Sequence, residues 1–346
     1  MRLPDPHPNP APILELIDAF RRSKTMFAAV SLGVFEALHE GPADASGLAA
    51  RLLGPGAGAG PLERLLDACV GMGLLGKHDG AYANQPVAET YLCGHSPLSL
   101  TGYVLYSNEA LFPMWAHLED AVREGTHRWT QTFGWQGSLF DHFFKTDARR
   151  RSFLRGMHGL GQLSSAAVVA AFDLSRFRRM ADLGGATGHL AMAACEMYPQ
   201  LRATVCDLPQ VIAMAREYVA ASAARDRIEA IAGDFFRDDL PAADLYSLGR
   251  ILHDWPEHRI RLLLSKIYAA LPPGGGLLVA EKLLEEDKSG PSSAHMQSLN
   301  MLVCTEGRER TLAEYAALLR AAGFASIEGR RTGSVLDAVL ATKANT

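Results

Sequence analysis

The 346-residue chain lacks any uninterrupted apolar run of about 18 residues, so no membrane span is expected. Its first residues, MRLPDPHPNPAP, are rich in proline and lack the apolar core of a signal peptide, which points to a cytoplasmic protein. Cysteine is scarce. Cys69, Cys93, Cys195, Cys206 and Cys304 form no CxxC pair and have no closely spaced histidine partners, which excludes a disulfide framework or a cysteine zinc site and suggests reduced thiols. A charge excess is missing too: 34 Lys and Arg face 38 Asp and Glu, a net −4, so there is no electrostatic drive toward nucleic acid or an anionic membrane. Nor is there an internal repeat, and the only low-complexity stretch is GPGAGAG at 54–60.

What remains is an ordinary globular composition, 48% apolar and 21% charged, on a length that suits two domains. The first hundred residues read as helices on short loops. Phe27, Val30, Val34, Phe35 and Leu38 fall at helical spacing within FAAVSLGVFEALHEG, which Gly41-Pro42 stops. ASGLAARLLG and PLERLLDACVGMGLL give two more helices, and KHDGAYANQ reads as a hairpin turning at Asp79-Gly80. Three helices and a hairpin outline a winged helix. DNA binding is disfavoured, because residues 1–100 hold seven Lys/Arg against ten Asp/Glu, a balance of −3; a dimer-forming role is expected instead. Residues 101–175 read as a helical linker and pocket region rich in aromatics, among them Tyr103, Tyr106, Phe112, Trp115, Trp129, Trp135, Phe140, Phe143, Phe144 and Phe153.

From 176 to 346 strands and helices alternate: RRMADLGG, ATVCDLP, IEAIAGDFF, ADLYSLGRILHDW and GLLVAEKLL each precede a helix or a turn. That order predicts an α/β, Rossmann-like doubly wound parallel sheet with its ligands at the carboxyl ends of the strands. The glycine turn DLGGATGHL does not fit a nicotinamide dinucleotide, since from Gly184 the second and third glycines of GxGxxG are replaced by Ala186 and His189. Acids close the first three strands instead. Asp182 precedes the turn, Asp207 follows Gly188 by 19 residues, and Asp234 stands beside Phe235. A carboxylate placed like Asp207 suits a ribose diol, and an acid with an aromatic can bracket an adenine; helix capping by each acid is the plain alternative.

DLGGATG, TVCDLP, GDFF, ILHDW, PGGGLLVAE and GRERT, in that order, resemble the class I S-adenosylmethionine-dependent O-methyltransferases. More narrowly they resemble the acetylserotonin (hydroxyindole) family with its plant-type small-molecule relatives. The resemblance covers nearly the whole chain, because that family also carries an N-terminal winged-helix dimerisation domain. It implies a cytoplasmic homodimer of secondary metabolism that methylates a small aromatic acceptor with S-adenosylmethionine, released as S-adenosylhomocysteine. It places Gly184, Gly188, Asp207, Leu208, Asp234, Phe235, Arg250, Phe144 and Met157 at the cofactor. Met157, His158, Met296, Asn300 and Met301 fall at the substrate; Met296, Asn300, Met301 and Cys304 are expected on one helical face. Met26 and Phe27 are expected to reach the pocket of a partner subunit. Two departures stand out, Ala186 where the family usually has glycine and Phe144 where it often has tyrosine. No acidic cluster suggests magnesium, so methyl transfer is expected to need no metal.

The resemblance makes His253 the general base, flanked by Glu281 and Glu309, with Asp254 assisting, Trp255 structural and His258 on the surface. The chemistry supports the need for one. A phenol with a pKa near 10 is about one part in a thousand ionised at neutral pH, and a positioned histidine contributes roughly 10² to 10⁴-fold. Two further readings stay open. The same base could activate a ring carbon of a phenolic amino acid or kynurenine-like compound, and a non-catalytic, ligand-sensing winged-helix regulator would share the two-part layout.

Overall fold

A computed structural model describes residues 8–136, 140, 141, 144 and 146–345; Phe143 and the first seven residues lie outside the described residues. The chain divides into two compact units, one ending at Asn108 and the other beginning at Glu109.

In the first unit the helix expected over 27–41 is two helices, Ala11–Ser31 and Val34–His39. Gly33, at a φ of +78°, takes the left-handed conformation that breaks them, which a residue with a side chain adopts only at a cost. Helices Ala45–Leu53 and Ala59–Gly71 follow, the former capped by the Asp44 carboxylate accepting from the Gly47 N–H at 2.7 Å. Strands β1 (Ala43–Asp44), β2 (Leu75–His78) and β3 (Ala81–Asn84) form a small antiparallel sheet. The β2–β3 hairpin turns at Asp79-Gly80 as expected, both with positive φ, the geometry that matches the strand twist. Val34, Phe35, Leu48, Leu62, Leu66, Leu75 and Tyr82 fill the core of this unit.

The second unit is built on a seven-stranded sheet of β4 (Arg179–Leu183), β5 (Arg202–Asp207), β6 (Ile228–Ala232), β7 (Leu245–Gly249), β8 (Gly276–Glu281), β11 (Ser326–Arg330) and β12 (Asp337–Thr342). The order across the sheet is β11-β12-β8-β7-β4-β5-β6, parallel except that β12 runs antiparallel to both its neighbours. The chain reverses its winding at β4, which pairs with β5 on one side and β7 on the other, so a crevice opens above the carboxyl end of β4. The run GLLVAEKLL does not continue as one strand. It ends at Glu281, and β9 (Leu283–Leu284) pairs instead with β10 (Arg310–Thr311) in a separate parallel ribbon. A 24-residue helix, Asp147–Ala170, packs on the helix His189–Met197 that follows the glycine turn. No helix among the described residues is long and apolar enough to cross a membrane, and all five cysteines are free and buried.

Candidate active site

Five parallel strands deliver their carboxyl ends to one place. After β4 the chain passes through Gly184 at a φ of +68°, Ala186 at +50° and Gly188 at +80° before entering the helix His189–Met197. A methyl group on Gly184 would lie 2.5 Å from Ile251 Cδ1 and 3.3 Å from the Phe235 ring, so this backbone stands against both. Ala186, the alanine in place of glycine, is held left-handed, at a cost of roughly 1 kcal/mol or more for a residue with a β-carbon. At the end of β5 the Asp207 carboxylate accepts the Ala186 N–H (2.8 Å) on one oxygen and the Leu208 N–H (2.7 Å) on the other. Each oxygen keeps a lone pair for a further donor. Burial pushes Asp207 up to about 6, against the pull of those two N–H groups.

Asp182 is buried, accepts the Ser247 hydroxyl at 2.6 Å, and is raised by burial to about 6; it braces the turn from below. Asp234 accepts the Phe236 N–H at 2.9 Å. Phe144 packs in one cluster with Ala186 and Leu208, and Arg250 follows β7 in a left-handed conformation with its Nε buried and unbonded. A glycine cradle that a β-carbon would fill, a carboxylate with spare lone pairs at the next strand end, and an aromatic beside the third fit an adenosyl ligand carrying a charged tail.

The second cluster lies where β7 and β8 end. His253, in the single turn Leu252–Asp254, is only 3% exposed. Its Nδ1 lies 2.6 Å from Glu309 Oε1, and 3.3 Å from Glu281 Oε2. The two carboxylates have different tasks. Glu281 Oε1 collects the backbone N–H groups of Ile251, Leu252 and His253 at 3.0, 2.8 and 3.4 Å, which fixes the turn; Glu309 bonds the ring itself. An Nδ1–H donated to Glu309 leaves the Nε2 lone pair as the basic site. Burial alone would push the imidazolium down, but Glu281, Glu309 and Asp254 outweigh it and hold His253 up at about 10. Burial raises Glu281 to about 7 and Asp254 to about 6. Asp254 Oδ1 stands 3.6 Å from Nε2, beyond hydrogen-bond range. Trp255 is boxed by Phe140, Phe236 and the Arg259 guanidinium, as a structural residue would be, and His258 is exposed.

On the expected acceptor side the helix Ser292–Cys304 divides its residues. Met296 is about half exposed, Asn300 half-buried, and Met301 and Cys304 buried. The expectation of one shared face is therefore corrected. At about 100° per residue Met301 is turned roughly 140° from Met296, whereas Asn300 is turned only about 40°. Asn300 is fixed by Trp115, whose Nε1 donates to Oδ1 at 2.9 Å, leaving its amide N–H groups for another acceptor. His158 and Met157 share the helix Asp147–Ala170. His158 points to the glycine turn, with Nδ1 2.8 Å from Thr187 Oγ1 and its ring 4.0 Å from that of Tyr218, and burial lowers it to about 4. Met26 and Phe27 pack, partly buried, against the core of the first unit.

Several contacts around His253 were not assigned from the sequence. Gly307 runs so close to the His253 carbonyl that a β-carbon there would collide with it. Arg310, buried, donates to the Leu252 carbonyl at 3.3 Å, and Trp129 Nε1 donates to the Cys304 carbonyl at 2.9 Å. Within GRERT, Glu309 was the residue expected beside His253, and the structure places it there.

Comparison with known proteins follows the same division. Residues 115–325 match the model of an O-methyltransferase domain and residues 14–94 that of an O-methyltransferase dimerisation domain. The acetylserotonin O-methyltransferase of Bos taurus is 44% identical over 338 residues, which cover 95% of this chain and 96% of the relative. A human protein named "Probable bifunctional dTTP/UTP pyrophosphatase/methyltransferase protein" is 43% identical over 97% of this chain, which spans only 54% of that relative's length. Among solved structures, human N-acetylserotonin methyltransferase in complex with SAM superposes with a TM-score of 0.92 at 38% identity, over 99% of this chain and 100% of that one.

Proposed function

The chain belongs to the O-methyltransferase family that carries an N-terminal dimerisation domain, and from that premise we propose that it methylates the oxygen of a small phenolic acceptor from S-adenosylmethionine, with His253 as general base, as a homodimer in secondary metabolism. A non-catalytic regulator is set aside by the family itself. The solved relative crystallised with SAM supports the cofactor, and the glycine turn with Asp207 and Phe235 supplies the matching surfaces. Gly184 and Gly188 would face the methionine portion, Asp207 the ribose and Phe235 the adenine. Bound S-adenosylmethionine would supply a methyl group on a positively charged sulfur.

The observation that carries the reading is the 2.6 Å contact of His253 Nδ1 with buried Glu309. Glu309 orients the ring and stabilises the imidazolium, Glu281 anchors the turn, and Nε2 takes the phenolic proton as the oxygen becomes the nucleophile. A base held near 10 matches a phenol of about the same pKa, so the transfer is nearly thermoneutral. Matching has a consequence: at neutral pH little of the ring is free to accept a proton, and turnover should grow as pH rises. The remaining acceleration must come from alignment of oxygen and methyl, which can be worth roughly 7–11 kcal/mol. Asn300, with its amide N–H groups free, is placed to donate to an acceptor atom on the aromatic substrate.

The test is methyl transfer from labelled S-adenosylmethionine to a panel of phenols and hydroxyindoles, followed by NMR of the product. A methoxy signal is expected. An aryl-methyl signal would replace O- by C-methylation, and no transfer to any phenol would remove the acceptor class.

A further inference from the structure

The first unit gathers a separate set of ligating side chains. His39 ends the helix Val34–His39, Glu89 lies in the helix Pro86–Tyr91, and His95 follows four residues after that helix. Both imidazoles address one carboxylate oxygen. His39 Nδ1 is in hydrogen-bond contact with Glu89 Oε1, and His95 Nε2 is 3.6 Å from the same atom. The two rings are stacked, with centroids 3.7 Å apart and planes 28° from parallel. One ligand atom from each of the three residues falls within 4.8 Å of the other two. Each side chain is between about a third and a half exposed, so an ion can enter from solvent.

Both histidines stand within ion-pair distance of the one carboxylate oxygen. Two stacked rings that both served the carboxylate as cations would repel each other at this separation. A divalent metal would serve both rings at once, each turning an in-plane lone pair toward it as the two planes tilt out of their stack. The carboxylate is already steered for this. Its other oxygen accepts the Asn84 amide at 2.8 Å, and the same Asn84 nitrogen is bonded to the Phe35 carbonyl at 2.9 Å. Cys93 is adjacent but buried; its thiol donates to the Phe35 carbonyl at 3.5 Å and stands 3.7 Å from Oε2, the other oxygen of Glu89, outside the set of grouped donors. Two nitrogens and one oxygen suit zinc and disfavour magnesium or calcium, which demand oxygen ligands.

We propose that His39, Glu89 and His95 bind one zinc ion per chain, with a coordination position left to water. The ion ties the end of the helix Val34–His39 to the segment that follows Pro86–Tyr91, so its effect falls on the stability of the first unit. Donors at about 2.0–2.1 Å around a tetrahedral ion lie about 3.3 Å from one another, so His39 and Glu89 would move apart and His95 would draw slightly in.

The test uses the full-length protein, free of any histidine tag and stripped with chelator, titrated with zinc chloride in a calorimeter at neutral pH. One site per chain is expected, with a Kd on the order of 10 µM or tighter, and zinc should raise the melting temperature while magnesium chloride does neither. His39→Ala and His95→Ala should each weaken zinc at least about tenfold. Glu89→Gln keeps the shape and removes the charge, and should also abolish the zinc-dependent rise in melting temperature. His253→Ala must leave zinc binding intact, because His253, Glu281 and Glu309 form the other set of grouped ligands among the described residues. The proposal is overturned if the stripped protein takes up no zinc, if binding survives both histidine substitutions, or if it disappears in His253→Ala.

Discussion

At the scale of the residue, His253, the base of the proposed reaction, has surroundings that hold it protonated. Glu281, Glu309 and Asp254 surround a ring that burial would otherwise neutralise, and together they lift it to about 10. The sign for activity follows directly. A base must be unprotonated to act, so kcat/KM should rise with pH, by about tenfold per unit from neutral until the pH approaches about 10. Glu309→Gln removes one of the charges that raise the histidine. Its rise should therefore begin at lower pH, while the plateau falls because the ring is less firmly oriented. His253→Ala should bind cofactor nearly as before and lose on the order of 10²-fold or more in turnover. That loss should stay nearly constant up to about pH 10, because the free phenolate rises with the same slope, and shrink only above it, where solvent has ionised the phenol. A folded His253→Ala protein with full activity, or a flat pH profile in the parent, would defeat the base assignment.

At the scale of the element, the decisive pieces are strand ends and the turns after them. Gly184→Ala would place a methyl group 2.5 Å from Ile251 in a backbone that is already left-handed. Calorimetry with S-adenosylhomocysteine should show at least about tenfold weaker binding. Asp207→Ala should lose a similar amount, on the order of 1.5–3 kcal/mol for a lost hydrogen-bonded carboxylate. Unchanged affinity in both would move the cofactor away from this sheet edge. These strand ends were legible in the sequence because each acid closes a short apolar run before a turn. The union of Glu309 with His253 was not legible from any local pattern. It depends on β9 and β10, two residues each, which pair in parallel and carry Glu309 to its place beside β8. Two-residue strands leave no period to read. The break at Gly33 was hidden for a similar reason, since helical spacing continues across it, and only the positive φ shows the interruption.

At the scale of the whole molecule, the first helix is unfinished as a surface. Ile13, Leu14, Leu16, Ile17 and Phe20 on Ala11–Ser31 are each more than half exposed in the single chain. An apolar group of that size on a soluble protein marks a surface that another molecule covers. The dimerisation-domain match, residues 14–94, includes four of the five. The occupant is then a second copy, and the interface is expected to be apolar. Light scattering should give roughly twice the 37.4 kDa of one chain at micromolar concentration. Replacing Ile17 and Phe20 together with aspartate puts two charges where an apolar contact is required, and each copy meets the change twice across a symmetric interface. The variant should run as a monomer. Because Met26 and Phe27 lie farther along the same helix and already pack in their own unit, the monomer should keep its fold by circular dichroism. Turnover separates two arrangements: retained kcat and KM would mean that each site is complete within one chain, and a raised KM would mean that the partner helps to line it. A parent protein that is monomeric at micromolar concentration would remove the dimer altogether and leave the exposed apolar residues without an explanation.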